Sequence, residues 1–190
     1  MDQVSIRFAQ ETDLAVLLEI YQPYVEETAI SFEFAVPTLS EFKKRYVSVS
    51  AVFPYLVAEY NGKLVGYAYA SAFKQRQAYS WDAESSIYVD RNYQHSGIGS
   101  KLYDRLESIL TKQGIVNLFA CVSCQALNLT VNASIRFHQQ RGYQLVGLFR
   151  QCGYKFEQWH DIAYLVKCLN QPIQNQPSVL PVTCFRKETD

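Results

Sequence analysis

The chain has no excess of either charge: 18 lysines and arginines face 18 aspartates and glutamates across 190 residues. Wrapping nucleic acid or coating an anionic membrane requires a basic surplus, so neither is expected as a partner. No apolar run approaches the roughly 20 residues of a membrane span. The opening segment MDQVSIRFAQ lacks the charged start and apolar core of a secretion signal. A soluble cytoplasmic protein is the expectation. Neither common phosphate loop is present, since there is no GxxxxGK[ST] and no GxGxxG. Cys121 and Cys124 have C-x-x-C spacing, but no second pair exists to complete a zinc site and the pair does not open a helix. The five cysteines (121, 124, 152, 168 and 184) read as buried thiols, and no metal is expected.

What is present is the periodicity of one α/β domain, long enough for a core of its own. Residues 4–8 alternate like a strand, and Leu14, Leu17, Leu18, Tyr21 and Val25 recur at helical spacing. Thr38 or Ser40 caps a second helix reaching Val49. Residues 54–60 and 63–70 flank Asn61-Gly62, a strong hairpin signal because both positions tolerate positive φ. A strand at 80–89, a helix at 97–113, a strand at 115–122 and a helix at 132–141 follow. Two last strands, 143–151 and 154–168, turn around Cys152-Gly153. The order β-α-α-β-β-β-α-β-α-β-β predicts a mixed central sheet flanked by helices, within a domain covering residues 1–169. Residues 170–190 carry three prolines and little periodicity, and read as a mobile tail.

The densest signal is SIYVDRNYQHSGIGSKLYDRL at residues 86–106. A β-rich run leads into Gln94-His95-Ser96-Gly97-Ile98-Gly99 and then into an amphipathic helix. Glycines permit close backbone approach, and a helix start offers unpaired N–H groups to an anion such as a pyrophosphate.

This loop resembles the acetyl-CoA loop of the GNAT N-acetyltransferases. Three further stretches, KQRQAYSWDAESSIYV (74–89), NASIRFHQQRGY (132–143) and GYKFEQWHDIAYLVK (153–167), resemble phosphinothricin N-acetyltransferases and their methionine-sulfoximine-acetylating relatives. The resemblance spans residues 3–168. It implies the GNAT fold, acetyl-CoA as co-substrate and direct transfer to the α-amine of a small glutamate-like amino acid. It puts pantetheine along the backbone of Ile87, Tyr88 and Val89, and pyrophosphate on amides around Gln94, His95, Ser96, Gly97, Ile98, Gly99 and Ser100. The family has glycine where His95 stands and a basic residue where Ser96 stands.

Glu84 is the candidate general base, since an α-ammonium must lose a proton before it attacks; a structural ion pair with Lys74 or Arg76 is the alternative. His138 is implied as the acid for the leaving thiolate, or as a carrier of the amine proton. Lys74 and Arg76 meet an acidic end of the acceptor, Ser85 and Ser86 lie beside it, and Phe32 and Tyr79 wall the pocket. Asn132 either bonds pantetheine or caps its helix. The resemblance also implies a homodimer. Competing functions are a GNAT acting on an ordinary amino acid or a polyamine, and a non-catalytic acyl-CoA-binding module.

Overall fold

A computed structural model describes residues 4–125 and 130–186. Its elements are β1 (Val4–Phe8), α1 (Leu14–Glu26), α2 (Leu39–Ser50), β2 (Tyr55–Tyr60), β3 (Lys63–Ala72), β4 (Asp82–Val89), α3 (Ile98–Gln113), β5 (Asn117–Cys124), α4 (Ala133–Gln140), β6 (Gln144–Lys155) and β7 (Gln158–Cys168). The strands form one sheet in the order β1-β2-β3-β4-β5-β7-β6. Every pairing is antiparallel except β4 with β5.

Strand alternation divides the core in two. Leu56, Ala58, Ala68, Ala70 and Ala83 face Ile98, Leu102, Leu106 and Leu110 of α3 and Ile135 of α4. Tyr55, Val57 and Tyr67 face Leu17, Tyr21, Tyr24 and Val25 of α1 and Phe42 and Tyr46 of α2. Small alanines on one face of β3 let α3 lie close, and tyrosines fill the wider space on the other. Thr38 starts α2 with a reciprocal cap: its hydroxyl accepts from the Glu41 N–H, and the Glu41 carboxylate accepts from the Thr38 N–H.

Three expectations need correction. The final hairpin turns at Phe156-Glu157, both at positive φ (51° and 58°), and not at Cys152-Gly153. Cys152 and Gly153 instead close a bulge in β6, where the register shifts between Phe149 and Gly153. The buried Asp161 carboxylate accepts the Gln151 N–H at 2.7 Å, supplying the partner that the interrupted ladder lacks. Over residues 170–186 the tail, expected as a mobile segment, lies packed on the domain. Trp81 Nε1 donates to the Pro177 carbonyl, the Leu180 N–H and C=O bond Gln113, and Val182 and Phe185 are buried in a short 3-10 turn. These apolar side chains and paired backbone groups tie the tail down where composition alone suggested nothing would. Finally, only Cys124 is buried; the other four thiols are exposed.

Candidate active site

The site begins where two strands part. β4 pairs with β5 only over Asp82–Ser85, while β4 runs on against β3 as far as Val89 with no bulge. Among the described residues, one side of β4 therefore has no strand partner past Ser85. Tyr24 of α1 closes the far end: its hydroxyl accepts from the Val89 N–H and donates to the Val89 carbonyl. Gln94 Nε2 donates to the same hydroxyl at 3.2 Å. Because polar backbone groups two residues apart point the same way, the Ile87 N–H and C=O face the split. Of the three residues expected to line it, Val89 is thus occupied and Ile87 is placed to bond an extended ligand.

The α3 N-terminus adjoins this gap. A Cβ on Gly99 would lie 3.5 Å from Ile87 Cδ1 and 3.6 Å from the Phe137 ring, so helix start and strand are in packing contact. Gly97 caps α3 at φ 81° without any side-chain bond to the first turn. The first intrahelical bond is from Lys101 to Gly97, so the amides of Ile98, Gly99 and Ser100 precede it and point outward. His95 stands at φ 61°, a left-handed conformation that explains why glycine suits this position. Ser96 Oγ turns back onto the Tyr93 carbonyl. The open strand edge beside an uncapped helix start fits an amide-bearing chain ending in an anion.

Behind β4 runs a buried hydrogen-bond chain. His138, 3% exposed, has Nδ1 2.7 Å from the Ser134 carbonyl and Nε2 2.8 Å from Tyr103 Oη. The carbonyl requires the proton on Nδ1, so Nε2 accepts from Tyr103. The one Tyr103 hydroxyl proton is shared with Ser85 Oγ, to which Tyr103 donates at 3.0 Å and which itself donates to the Phe119 carbonyl. Burial pushes the His138 pKa down, keeping the imidazole neutral. Both ring nitrogens are engaged inside the core. The structure therefore does not bring His138 to the strand split, contrary to its expected part as a direct acid. Ser85 likewise faces this chain and not the acceptor side. Asn132 caps α4 by accepting from Ser134 and Ile135 N–H, and its amide donates to the Ser123 carbonyl, so the capping alternative is the one observed.

Glu84 lies on the opposite face of β4, half-buried with Ser86 and Tyr88. Ser86 bonds the Tyr69 hydroxyl, and Tyr88 packs edge-on against Tyr21 and Tyr24. Burial pushes the Glu84 pKa above the ordinary carboxylate value, and the nearby Lys74 ammonium opposes the rise. Next to it opens a cleft of about 660 Å³ whose walls include Phe32, Phe73, Lys74, Phe119, Cys121 and Tyr164. Glu84 borders this cleft: it pairs with Phe119 across the ladder, and its charge raises the pKa values of Cys121 and Tyr164. The bulge in β6 adds Phe149 and Cys152 to the wall.

Phe32 and Lys74, both expected at the acceptor, line this cleft. Lys74 also rides 4.9 Å over the Phe73 ring, which stacks on Phe119 at 4.0 Å. Arg76 and Tyr79 are not in the cleft. They line a second depression of about 460 Å³, which Lys74 also borders, against Val179, Leu180 and Pro181 of the tail. Sequence reasoning missed Tyr24, Tyr103 and the bulge. Tyr24 and Tyr103 look like ordinary apolar-stripe positions, and their hydroxyl partners are 65 and 35 residues away.

Comparison with known proteins agrees with this geometry. Residues 6–163 match the family described as acetyltransferase (GNAT) domain. Phosphinothricin N-acetyltransferase of Streptomyces viridochromogenes is 34% identical over 180 residues, 95% of each chain. The L-methionine sulfoximine/L-methionine sulfone acetyltransferase of Salmonella typhimurium is 30% identical over 163 residues, covering 85% of this chain and 92% of that one. Among solved structures, a GNAT phosphinothricin acetyltransferase from Sinorhizobium meliloti in complex with AcCoA superposes with a TM-score of 0.82 at 30% identity, over 91% of this chain and 95% of that one. With its parted parallel strands and uncapped helix start, this chain belongs to the GNAT acetyltransferase family.

Proposed function

We propose that the protein moves an acetyl group from acetyl-CoA to the α-amine of a small amino acid of the phosphinothricin or methionine sulfoximine kind, by direct attack. The observation that carries this reading is Glu84: a half-buried carboxylate of raised pKa, at the border of an aromatic-walled cleft and one residue from the strand split. Acetyl-CoA fits the split, with the Ile87 backbone bonding pantetheine and the amides of Ile98, Gly99 and Ser100 meeting the pyrophosphate. The acceptor occupies the aromatic cleft with Lys74 facing its acidic end. Glu84 takes the amine proton, directly or through one water. The nitrogen then bonds to the acetyl carbon and releases its surplus proton to water, the carbon–sulfur bond breaks, and the thiolate takes a proton from solvent. An amide of the Ile87 segment is the donor for the oxyanion formed on the way. His138 acts as a positioning residue, holding Tyr103 and Ser85 where the strands part.

A polyamine acceptor is disfavoured because the described cleft wall carries the Lys74 ammonium, with Glu84 at its border and no cluster of carboxylates. The edge strand β6 supports the homodimer reading, since its Leu145, Val146, Phe149 and Tyr154 are exposed, with Trp159 of β7 beside them. Five free thiols suit a reducing cytoplasm.

The test is acceptor-dependent release of free thiol from acetyl-CoA, with phosphinothricin, methionine sulfoximine, ordinary amino acids and polyamines compared. A rate with an unrelated amine and none above blank with the first two refutes the acceptor class. Absence of thiol release with every amine leaves the binding-module reading standing. Glu84→Gln should lower kcat by about 10²–10⁴-fold near neutral pH with acetyl-CoA affinity unchanged.

A further inference from the structure

The connection between α1 and α2 is held by one buried cation from the far end of the chain. Lys155, the last residue of β6 and 2% exposed, donates from Nζ to the carbonyls of Val25 (2.6 Å), Thr28 (2.9 Å) and Ser31 (2.7 Å). An ammonium has three protons and no acceptor, so these carbonyls use it completely. Val25 belongs to the last turn of α1, where carbonyls lack helical partners and positive charge is favoured. The same loop is tied on its other side, where the Tyr21 and Ser31 hydroxyls lie 2.6 Å apart.

Phe32 follows the last of these carbonyls, and its ring lies on Gly153 of the β6 bulge. A Cβ at Gly153 would stand 2.2 Å from Phe32 Cε2 and 2.5 Å from Cζ, far inside ordinary contact at 3.4 Å. Gly153 has no positive φ, so its missing side chain serves the ring and not the backbone. Phe32 is in turn a wall of the 660 Å³ cleft.

We propose that Lys155 and Gly153 are positioning residues for the acceptor cleft: the Lys155 ammonium pins the backbone of residues 25–31, and the bare Gly153 backbone seats the Phe32 ring. The wall is then set before the acceptor arrives, which removes an ordering cost from acceptor binding. This inference rests on the cleft being the acceptor site.

Two readouts separate the parts. Hydrogen exchange needs no turnover: in Lys155→Met, amides of residues 28–33 should exchange at least about tenfold faster, with those of α3 and β4 unchanged. In steady state, Gly153→Ala should raise KM for the acceptor about tenfold, leave KM for acetyl-CoA unchanged and change kcat by less than about threefold. Adding Phe32→Leu to Gly153→Ala should recover most of that loss, because the smaller side chain vacates the space the new methyl needs. Unchanged exchange in Lys155→Met overturns the pin. Equal changes in both KM values, no change in either, or no recovery in the double variant overturns the seat. If Lys155→Met does not fold, the Gly153 series decides. A wild-type chain inactive towards every amine sinks the acceptor reading and with it the role of this wall, while the exchange result still reports on the pin.

Discussion

Removing the Tyr103 hydroxyl tests the buried chain behind β4. Tyr103→Phe keeps the ring, its edge-on packing against Phe137 and Tyr143, and nearly all of its volume. What changes is the partner count of two atoms. Ser85 Oγ retains the Phe119 carbonyl at 3.0 Å. His138 Nε2 loses Tyr103, the partner it has at 2.8 Å, in a side chain 3% exposed. One buried acceptor left without a donor costs about 1–3 kcal/mol. Urea unfolding should therefore show a loss near 2 kcal/mol, moving the midpoint by about 1 M with the slope unchanged. The added substitution His138→Leu removes the stranded nitrogen. The Ser134 carbonyl still has its place in the helix ladder of α4, so the pair should cost less than the sum of the singles by at least about 1 kcal/mol. A Tyr103→Phe loss below about 0.5 kcal/mol, or additive singles, would mean that Nε2 finds another donor and that this chain does not anchor the strand split.

Lys74→Met removes the charge that opposes the burial of Glu84. A base acts only when deprotonated, so activity is lost as pH falls through its pKa; without Lys74 that pKa rises further, and the acid limb of the kcat–pH profile should move to higher pH with the plateau retained. An unmoved limb would place the titrating group elsewhere. His95→Gly relieves a left-handed φ of 61° and should raise stability by about 0.5–1 kcal/mol after the entropy glycine adds to the unfolded chain, read by chemical denaturation. Phe185→Ala should cost about 3 kcal/mol if the tail is part of the fold, since the ring is 6% exposed; a cost near zero would mean the tail contributes nothing to the core.

The elements were legible where periodicity is strong. The apolar stripe of α3, the Asn61-Gly62 hairpin and the Thr38 cap sit where the sequence places them. The turn between β6 and β7 was misplaced because Cys152-Gly153 is the stretch with a glycine, while Phe156-Glu157 takes positive φ with neither glycine nor asparagine. What fixes that turn is the bulge before it and the Asp161 carboxylate, a contact ten residues away that periodicity does not encode. In the site, Glu84, Lys74 and Phe32 were readable as residues, and the anion-facing helix start as a motif. Arg76, two residues from Lys74 in sequence, lies in the depression against the tail, which Lys74 shares while also reaching the cleft, a split that composition does not show. Lys155 and Gly153 carry no sequence signal, because their partners lie in a loop more than 120 residues earlier.

One strand explains how a single short motif serves two purposes. On β4, Ser85 and Glu84 are neighbours that alternation sends to opposite faces. Ser85, buried, joins Tyr103 and the Phe119 carbonyl at the last β4–β5 pair, so the point of parting is held from the α3 side. Glu84 faces away from that network, half-buried, where burial and Lys74 set its pKa without any contact to His138. A neutral, doubly bonded His138 is suited to holding geometry and ill-suited to exchanging protons with a ligand, because each transfer would break a buried bond. Proton traffic and strand geometry therefore belong to different faces. A substitution on the His138 side should disturb stability and both substrates together, whereas one at Glu84 should act on the chemical step alone.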